Sequence, residues 1–283
     1  MKLGLLVEVE EGLTWPRWRA TLSRAEQLGF ESVWISDHLC SPWSQRGAEL
    51  EAWTALAVAA AETKHVRIGP LVSPVTFRPP AVVARMAQAL QRLSDGRFTL
   101  GLGLGWNRVE HEQSGIVFPS GAERAALLAA TAGLLEDVPL LIGGTGERAT
   151  LPLVARFADE WNMTTASPDL VRQRSAVLAS LCAEIGRDPA AITRSVAVGY
   201  LIGRDGCELR QRSARLQQWA APLNSVTLDE VPEAARGMSW LVGTPDDFRA
   251  QLTELEGVGI ERVIFGHYDL DDLQSLELVA DLA

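Results

Sequence analysis

The amino-acid sequence predicts a (β/α)8 barrel, because short apolar segments alternate with helical segments along the whole chain of 283 residues. Eight such strand–helix units are the number that closes a barrel, whereas an open doubly wound sheet of this length usually has fewer strands. The strands are apolar throughout, as expected of parallel strands that are covered on both faces. Glycines follow several helical segments, which suits the left-handed residue that commonly ends a helix.

The predicted elements follow one another regularly from the N-terminus. Strands are predicted at 3–9, 33–36, 66–69, 97–102, 139–142, 159–163, 195–202 and 262–265. Helices are predicted at 15–28, 49–63, 81–93, 122–135, 147–157, 168–185, 207–219, 245–256 and 271–282. Residues 220–243 are the least regular stretch and are interpreted as an excursion within the seventh unit. The whole chain, 1–283, is therefore expected to form a single domain.

Net charge and cysteine content limit the partners and the compartment. The 36 acidic and 26 basic residues give a net charge of −10, which argues against a nucleic acid or an anionic membrane as partner. The three cysteines form neither a CxxC motif nor a metal-ligand spacing, which favours a reducing, cytoplasmic location. The N-terminal segment is predicted to be a strand rather than a signal peptide, and no apolar run reaches the ~20 residues of a membrane span.

Candidate site residues are those that follow the strands, because the active site of such a barrel lies at the C-terminal ends of its strands. These segments are 36–38, 70–74, 103–107, 143–147 and 161–162. In the first of them, His38 is an imidazole that titrates near neutral pH, and Asp37 is a carboxylate that can orient it. The pair predicts acid–base catalysis, with a purely structural role at the strand end as the alternative.

The segment Gly143, Gly144, Thr145 and Gly146 is the clearest candidate for binding a phosphate. Glycines between a strand and a helix let backbone N–H groups converge beside a helix N-terminus, which carries about half a positive charge. Such a site needs no lysine, which suits an acidic chain. The alternative is a tight turn that binds nothing.

Other motifs give weaker or negative signals. The glycines within 101–105 are not a dinucleotide fingerprint, because the third glycine has the wrong spacing. They are interpreted either as room for a flat ring or as relief of crowding inside the barrel. His111 and His267 remain ambiguous, and His65 precedes the third strand on the opposite face of the barrel. No metal-ligand constellation and no nucleophile motif is recognised.

Four segments resemble the luciferase-like family of flavin and F420 oxidoreductases, in order and in spacing. They are AEQLGFESVWISDHL at 25–39, IGPLVSPVTFRPPAVVARMAQALQRLSDGRFTLGLGLGWNRVEHEQSG at 68–115, PLLIGGTGERATLPLVARFADEW at 139–161 and GTPDDFRAQLTELEGVGIERVIF at 243–265. The resemblance covers most of the chain, and the second segment is the most specific. It implies a barrel, a homodimer, and either coenzyme F420 or FMN bound at the C-terminal ends of the strands.

The resemblance also implies roles for individual residues. A bulge, often with a cis peptide, is expected to support the cofactor ring at Leu71, Val72 and Ser73. The residues expected beside the ring are Gly103, Leu104, Gly105 and Trp106. Those expected around the phosphate are Gly143, Gly144, Thr145 and Gly146. Asp37 and His38 match a pair that many F420-dependent members place at the reactive edge of the cofactor.

Two departures from the family pattern limit this transfer of roles. Trp106 stands where some F420-dependent sugar dehydrogenases have an acidic residue, so their acid–base assignment does not transfer. The segment between Phe118 and Pro139 is shorter than the one that most relatives use to cover the site. The sequence therefore predicts a shortened lid between the fourth and fifth strands.

Three functions fit these features. The first is F420-dependent hydride transfer to or from a small organic substrate, with His38 as acid or base and Asp37 orienting it. The second is an FMN-dependent monooxygenase that uses O2, which needs a closed, water-poor pocket and therefore suits a shortened lid less well. The third is a non-catalytic flavin-binding barrel, which the intact glycine turn disfavours.

Overall fold

Parallel strands form a barrel in the computed structural model, which describes residues 1–41, 47, 49–164 and 167–282. The strands are β1 (Lys2–Val7), β2 (Ser32–Ile35), β3 (Arg67–Pro70), β4 (Ser73–Pro74), β5 (Leu100–Gly103), β6 (Leu140–Gly143), β7 (Glu160–Met163), β8 (Thr193–Ile202), β9 (Leu241–Gly243) and β10 (Arg262–Gly266). They are hydrogen-bonded in the order β3-β2-β1-β10-β8-β7-β6-β5-β4. Because β4 pairs with β5 and Ile68 of β3 bridges to Phe98, the ring closes on β3 and β4 as two halves of one strand position. The predicted (β/α)8 barrel is confirmed.

Helices connect the strands around the outside of the barrel. They are α1 (Trp15–Leu28), α2 (Ala52–Glu62), α3 (Pro80–Leu93), α4 (Arg108–Gln113), α5 (Gly121–Ala132), α6 (Thr150–Phe157), α7 (Pro168–Glu184), α8 (Gly206–Trp219), α9 (Val231–Gly237), α10 (Pro245–Gly257) and α11 (Leu273–Ala280). The short helices α4 and α9 were not among the predicted elements. None of the helices in the described part of the chain has both the length and the apolar character needed to cross a membrane.

Alternation along the strands divides the core into two layers, since successive side chains of a strand point to opposite faces. Val33 and Ile35 of β2 belong to the outer layer, which packs against the helices. Trp34 lies between them in sequence and belongs to the inner layer, together with Leu141 and Ile264. The inner layer fills the barrel interior and forms the floor of any site at its C-terminal end.

An ion-pair cluster closes the N-terminal end of the barrel interior. Arg262, the first residue of β10, pairs with Glu160, the first residue of β7, and with Glu31 at 2.8 Å. Burial alone would lower the pKa of Arg262, but the two carboxylates outweigh it and raise that pKa. The guanidinium therefore stays charged throughout the physiological pH range.

The excursion at 220–243 forms a small added lobe on β8. It contains α9 and β9, and β9 extends the sheet by pairing in parallel with the end of β8. Trp240 stacks on Tyr268 with ring centroids 4.9 Å apart and lies over Gly199, where a Cβ atom would come within 2.2 Å of the indole. Gly199 is therefore required for the lobe to dock flat on the barrel.

Candidate active site

A cavity of about 500 Å³ opens at the C-terminal ends of the barrel strands. The described residues that line it are Leu6, Glu8, Glu10, Ser36, His38, Leu71, Val72, Pro74, Gly103, Leu104, Gly105, Trp106, Glu110, His111, Gly143, Gly144, Thr150, Asn162, Thr164 and Ala197. A larger concavity of about 880 Å³ lies beside Arg17 and Arg215. There the charges already neutralise one another, because these arginines pair with Asp271 and Asp269. The smaller cavity is therefore the candidate active site, since it alone of the two holds the predicted site residues.

The predicted bulge lies between β3 and β4. Leu71 and Val72 are joined by a cis peptide bond, so the expectation of irregular backbone at this point is confirmed. The Val72 side chain packs against two glycines of the neighbouring strands. A Cβ atom would lie 2.5 Å from Val72 at Gly103 and 3.0 Å from it at Gly143. The strand glycines therefore relieve crowding around Val72, which was one of the two interpretations of the glycine-rich segment.

His38 lies at the cavity and is held by Glu110. Its Nδ1 atom is 3.1 Å from each carboxylate oxygen of Glu110, which is only 1% exposed. Glu110 is placed by α4, because the Asn107 side chain accepts the Glu110 N–H at 3.2 Å and so begins that helix. This arrangement leaves Nε2 as the imidazole nitrogen of His38 that is available to a ligand.

The His38–Glu110 pair is shifted towards its ionised form. Burial alone would lower the pKa of His38, but the hydrogen bond to Glu110 and the charges of Glu10 and Glu8 outweigh it and raise that pKa to about 9. Burial would raise the pKa of Glu110, but His38 and backbone N–H groups outweigh it and lower that pKa. At neutral pH the imidazole is therefore protonated and paired with a carboxylate.

Two further carboxyl groups reach the cavity from the segment after β1. Burial and the neighbouring Glu10 and Glu11 raise the pKa of Glu8 to about 8. Burial also raises the pKa of Glu10, whose carboxylate accepts the hydroxyl of Ser36. These side chains make one wall of the cavity a surface on which additional negative charge is disfavoured.

Asp37 does not orient His38, and the expectation that it does so is wrong. Its carboxylate accepts Arg78 at 2.6 and 3.1 Å and the indole N–H of Trp53 at 3.1 Å. The Ser73 hydroxyl donates to the same carboxylate, so Ser73 also faces away from the cavity. The reason is the alternation of extended backbone: Ser36 and His38 point inward, and Asp37 between them points to the helices.

The glycine turn reaches the cavity only in part. Gly143 and Gly144 line it, whereas Thr145 and Gly146 are not among its described lining residues. Gly144 has φ 119° and donates its N–H to the Asn162 carbonyl at 2.9 Å, so that N–H is already used. Helix α6 begins only at Thr150, so the expectation of a helix N-terminus directly after the glycines is wrong. Thr150 itself lines the cavity and brings a hydroxyl to this side.

Trp106, Leu104 and Gly105 form the rim on the β5 side of the cavity. Trp106 is 60% exposed and meets the His38 ring edge-on at a centroid distance of 5.9 Å. His111 is buried behind this rim, with Nδ1 2.7 Å from the Asn107 carbonyl and Nε2 2.7 Å from the Thr76 hydroxyl. Both nitrogens of His111 are thus engaged within the protein, which favours a structural role.

Sequence reasoning missed the carboxyl groups of this site. Glu110 lies 72 positions after His38. The only feature of the sequence that marks it is its position shortly after a predicted strand. Glu8 and Glu10 directly follow the first strand, and that position could have marked them as candidates. His267 does not line the cavity; its Nδ1 is 2.8 Å from the Tyr200 hydroxyl in a separate buried cluster. Within the described ranges, no group of three or more histidine, cysteine or carboxylate side chains is arranged to hold a metal ion.

The chain is similar in sequence to one protein family and to individual proteins within a part of their length. The family model described as luciferase-like monooxygenase matches residues 3–129 and 121–262. An F420-dependent glucose-6-phosphate dehydrogenase of Amycolatopsis mediterranei is 40% identical over 117 residues, which are 41% of this chain and 35% of that protein. The match thus spans about a third of the length of that dehydrogenase. An uncharacterized protein of Mycobacterium tuberculosis is 26% identical over 233 residues, which are 66% of this chain and 80% of that protein.

Solved structures with the same fold include two cofactor-dependent enzymes. An F420-dependent secondary alcohol dehydrogenase in complex with an F420-acetone adduct superposes with a TM-score of 0.81 at 19% identity, covering 100% of this chain and 98% of that one. The FMN complex of the oxygenating constituent of 3,6-diketocamphane monooxygenase from Pseudomonas putida gives a TM-score of 0.77 at 16% identity, covering 99% and 96%. At such identities the likeness shows the fold.

Proposed function

The chain belongs to the luciferase-like monooxygenase family, and from this premise we propose that it is an oxidoreductase that uses coenzyme F420 to transfer a hydride to or from a small organic substrate. The observation that carries the proposal is the His38–Glu110 pair in the lining of the cavity. Hydride transfer to a carbonyl needs a proton at the oxygen, and a protonated imidazole held by a carboxylate is suited to supply it.

The cavity has the size and the wall that a flat cofactor requires. Its volume of about 500 Å³ lies within the ~300–1,000 Å³ range of small-molecule sites. Val72 presents an apolar surface next to Gly103 and Gly143, where no side chain stands in the way. The residues that would contact the ring are Leu71, Val72, Gly103, Leu104, Gly105 and Trp106. When bound, F420 supplies a carbon that gives or takes a hydride.

The phosphate of the cofactor would lie on the β6 side of the cavity. Gly143 and Gly144 bring backbone close to the ligand there, and the Thr150 hydroxyl is available as a donor. Thr145 and Gly146 would contribute through the shape of the turn rather than by lining the cavity. Ser73 and Asp37 would act from behind, by holding the bulge against Arg78 and Trp53.

The proposed catalytic residue is His38. In the reducing direction, Nε2 donates its proton to the carbonyl oxygen while Glu110 stabilises the imidazolium through Nδ1. In the oxidising direction, the imidazole must first lose that proton, so oxidation is favoured above the pKa of about 9 and reduction below it. Glu110 takes the orienting role that the sequence assigned to Asp37.

Titration of the purified protein with F420 and with FMN tests the cofactor assignment. The two compounds absorb at different wavelengths, so one spectrum identifies which is bound. We expect binding of F420 in preference to FMN. Tighter binding of FMN would overturn the F420 assignment in favour of an FMN-binding barrel, either a monooxygenase or a non-catalytic one, and binding of neither would overturn the proposed function.

The proposal also includes the setting of the enzyme. We propose a single barrel domain over 1–283, a homodimer, and a cytoplasmic location, as the family resemblance and the cysteine content imply. Light scattering coupled to size-exclusion chromatography measures the mass in solution. A mass of one chain at micromolar concentration would exclude the dimer.

A further inference from the structure

We infer that the substrate beside His38 is an uncharged, largely apolar alcohol or ketone, and that the site excludes phosphates and carboxylates. The inference rests on the proposed function, because it concerns the substrate of the same cavity. Three features support it: the lack of a free cation in the described lining, the carboxyl groups beside His38, and the position of these groups around the barrel.

The described lining of the cavity offers an anionic substrate no free cation. Of the described residues that line it, none is lysine or arginine. The two histidines among them are engaged: His111 holds the Asn107 carbonyl and the Thr76 hydroxyl, and the charge of His38 is already paired with Glu110 at 3.1 Å. A substrate phosphate or carboxylate would therefore be desolvated without a partner.

Two described arginines that contact residues in or beside the cavity lining are engaged elsewhere. Arg78 binds Asp37 at 2.6 Å and Glu51 at 2.7 Å, on the outer side of β2. Arg124 donates to the Gly105 carbonyl and lies over the Phe118 ring at 4.3 Å. The chain has two lysines, and both lie at the opposite end of the barrel. Lys2 is the first residue of β1, and Lys64 precedes β3.

The acidic wall adds a second reason. Glu8, Glu10 and Glu110 all line the cavity on the side of His38. The environment already keeps a proton on Glu8, whose pKa is raised to about 8. The burial and the neighbouring charges that disfavour a carboxylate there also disfavour a carboxylate brought in by a ligand.

The topology separates this wall from the turn proposed to hold the cofactor phosphate. In the closed ring, β6 stands four strand positions from β1, so the segments that follow β1 and β6 face each other across the mouth. An anionic group is thus acceptable on the β6 side and disfavoured on the β1 side. The exposed Trp106 and the neighbouring Leu104 provide apolar surface for the body of the substrate between them.

A matched pair of ligands tests the inference without turnover. Methyl levulinate and levulinate share a ketone and differ in one negative charge. Neither can react with oxidised F420, because both partners are already oxidised. Calorimetric titration into the F420-loaded protein at neutral pH is expected to show at least about tenfold tighter binding of the ester. The same titration of the cofactor-free protein is run in parallel, so that the charge preference is measured even if F420 does not bind.

Variants assign the preference to the acidic wall. Glu10→Gln keeps an oxygen that can accept the Ser36 hydroxyl but removes the carboxylate. We expect it to reduce the ratio of the affinity for methyl levulinate to the affinity for levulinate. Glu112→Gln is the control, because Glu112 is exposed on α4 and does not line the cavity. Equal or tighter binding of levulinate, or no binding of the ester up to its solubility limit, would overturn the inference. Failure to bind F420 would instead overturn the proposed function, while the titration of the cofactor-free protein still decides the preference.

Discussion

The two ends of the barrel interior both carry buried charge, but they use it differently. At the N-terminal end, Arg262 is paired with Glu160 and Glu31. At the C-terminal end, His38 is paired with Glu110, and Glu8 and Glu10 stand nearby. Each cluster places one cation beside carboxyl groups, two at the N-terminal end and three at the C-terminal end.

The difference lies in the cation. An arginine keeps its charge at any physiological pH, so the N-terminal cluster is a fixed plug. A histidine can lose its proton within the working range of an enzyme, here with a pKa raised to about 9, and His38 lines a cavity of about 500 Å³. Two similar clusters of buried charge thus differ in role. The cluster with the permanent cation is structural, and the cluster with the titrating cation can take part in catalysis.

The largest expected effect comes from removing the titrating cation. His38→Ala should slow hydride transfer by about 10²–10⁴, the usual contribution of a positioned acid or base, and change F420 affinity only a few-fold. Stopped-flow absorbance of the cofactor measures both quantities. His65→Ala is the control, because His65 is exposed and precedes β3 at the other end of the barrel. A rate equal to that of the control would leave the C-terminal cluster with a structural role only.

Removing the permanent cation should affect stability instead. Arg262→Met leaves Glu160 and Glu31 without their partner and should lower the free energy of unfolding by about 3 kcal/mol, as for other broken buried pairs. Urea denaturation measures the loss, and Arg262→Met combined with Glu160→Gln should recover part of it. A loss of unfolding free energy below about 1 kcal/mol, as for exposed ion pairs, would contradict a structural role of this cluster.

A smaller effect is expected where the cavity floor is tightly packed. Gly103→Ala places a Cβ atom 2.5 Å from Val72 and should lower the free energy of unfolding by about 1–3 kcal/mol through overpacking. Val72→Ala in the same chain should relieve most of it. Gly206→Ala is the matched control, since the structure places no atom within 4 Å of a Cβ atom there. Equal stability of Gly103→Ala and the control would mean that the glycine is not required by Val72.

The smallest expected effect is a change in the pKa of His38. The raised pKa of His38 contributes stability that is present below pH 6.5 and is lost as the pH rises through about 9. Glu110→Gln removes the carboxylate, so the pKa of His38 should fall by about one to two units. The alkaline limit of the reduction rate should move down by the same amount, and NMR titration of the imidazole measures it directly. An unchanged imidazole pKa in Glu110→Gln would assign the shift to Glu8 and Glu10.

Local sequence patterns predicted the strands and helices well, but they predicted the contacts between side chains less well. Helix α1 has the predicted bounds because Pro16 lies in its first turn and Gly29, with φ 76°, ends it. The bulge at 71–73 was reached through the family resemblance. The partner of His38 was not predictable, because it depends on which face of the backbone each residue presents and on a contact with α4. The turn at 147–149 delays α6 for reasons that no local signal in the sequence shows.

The alternation that turns Asp37 away from the cavity has a consequence for engineering. The inward phase of β2 continues beyond the strand, since Ser36 and His38 line the cavity, whereas β1 is followed by a 3-10 helix at Val9–Glu11. A single residue inserted just before Ser36 would exchange the two phases, presenting Asp37 to a ligand and withdrawing the imidazole. Specificity at this mouth is therefore open to change by substitution at Ser36 and His38, whereas an insertion within the extended segment from β2 to His38 keeps the phase only if it adds an even number of residues.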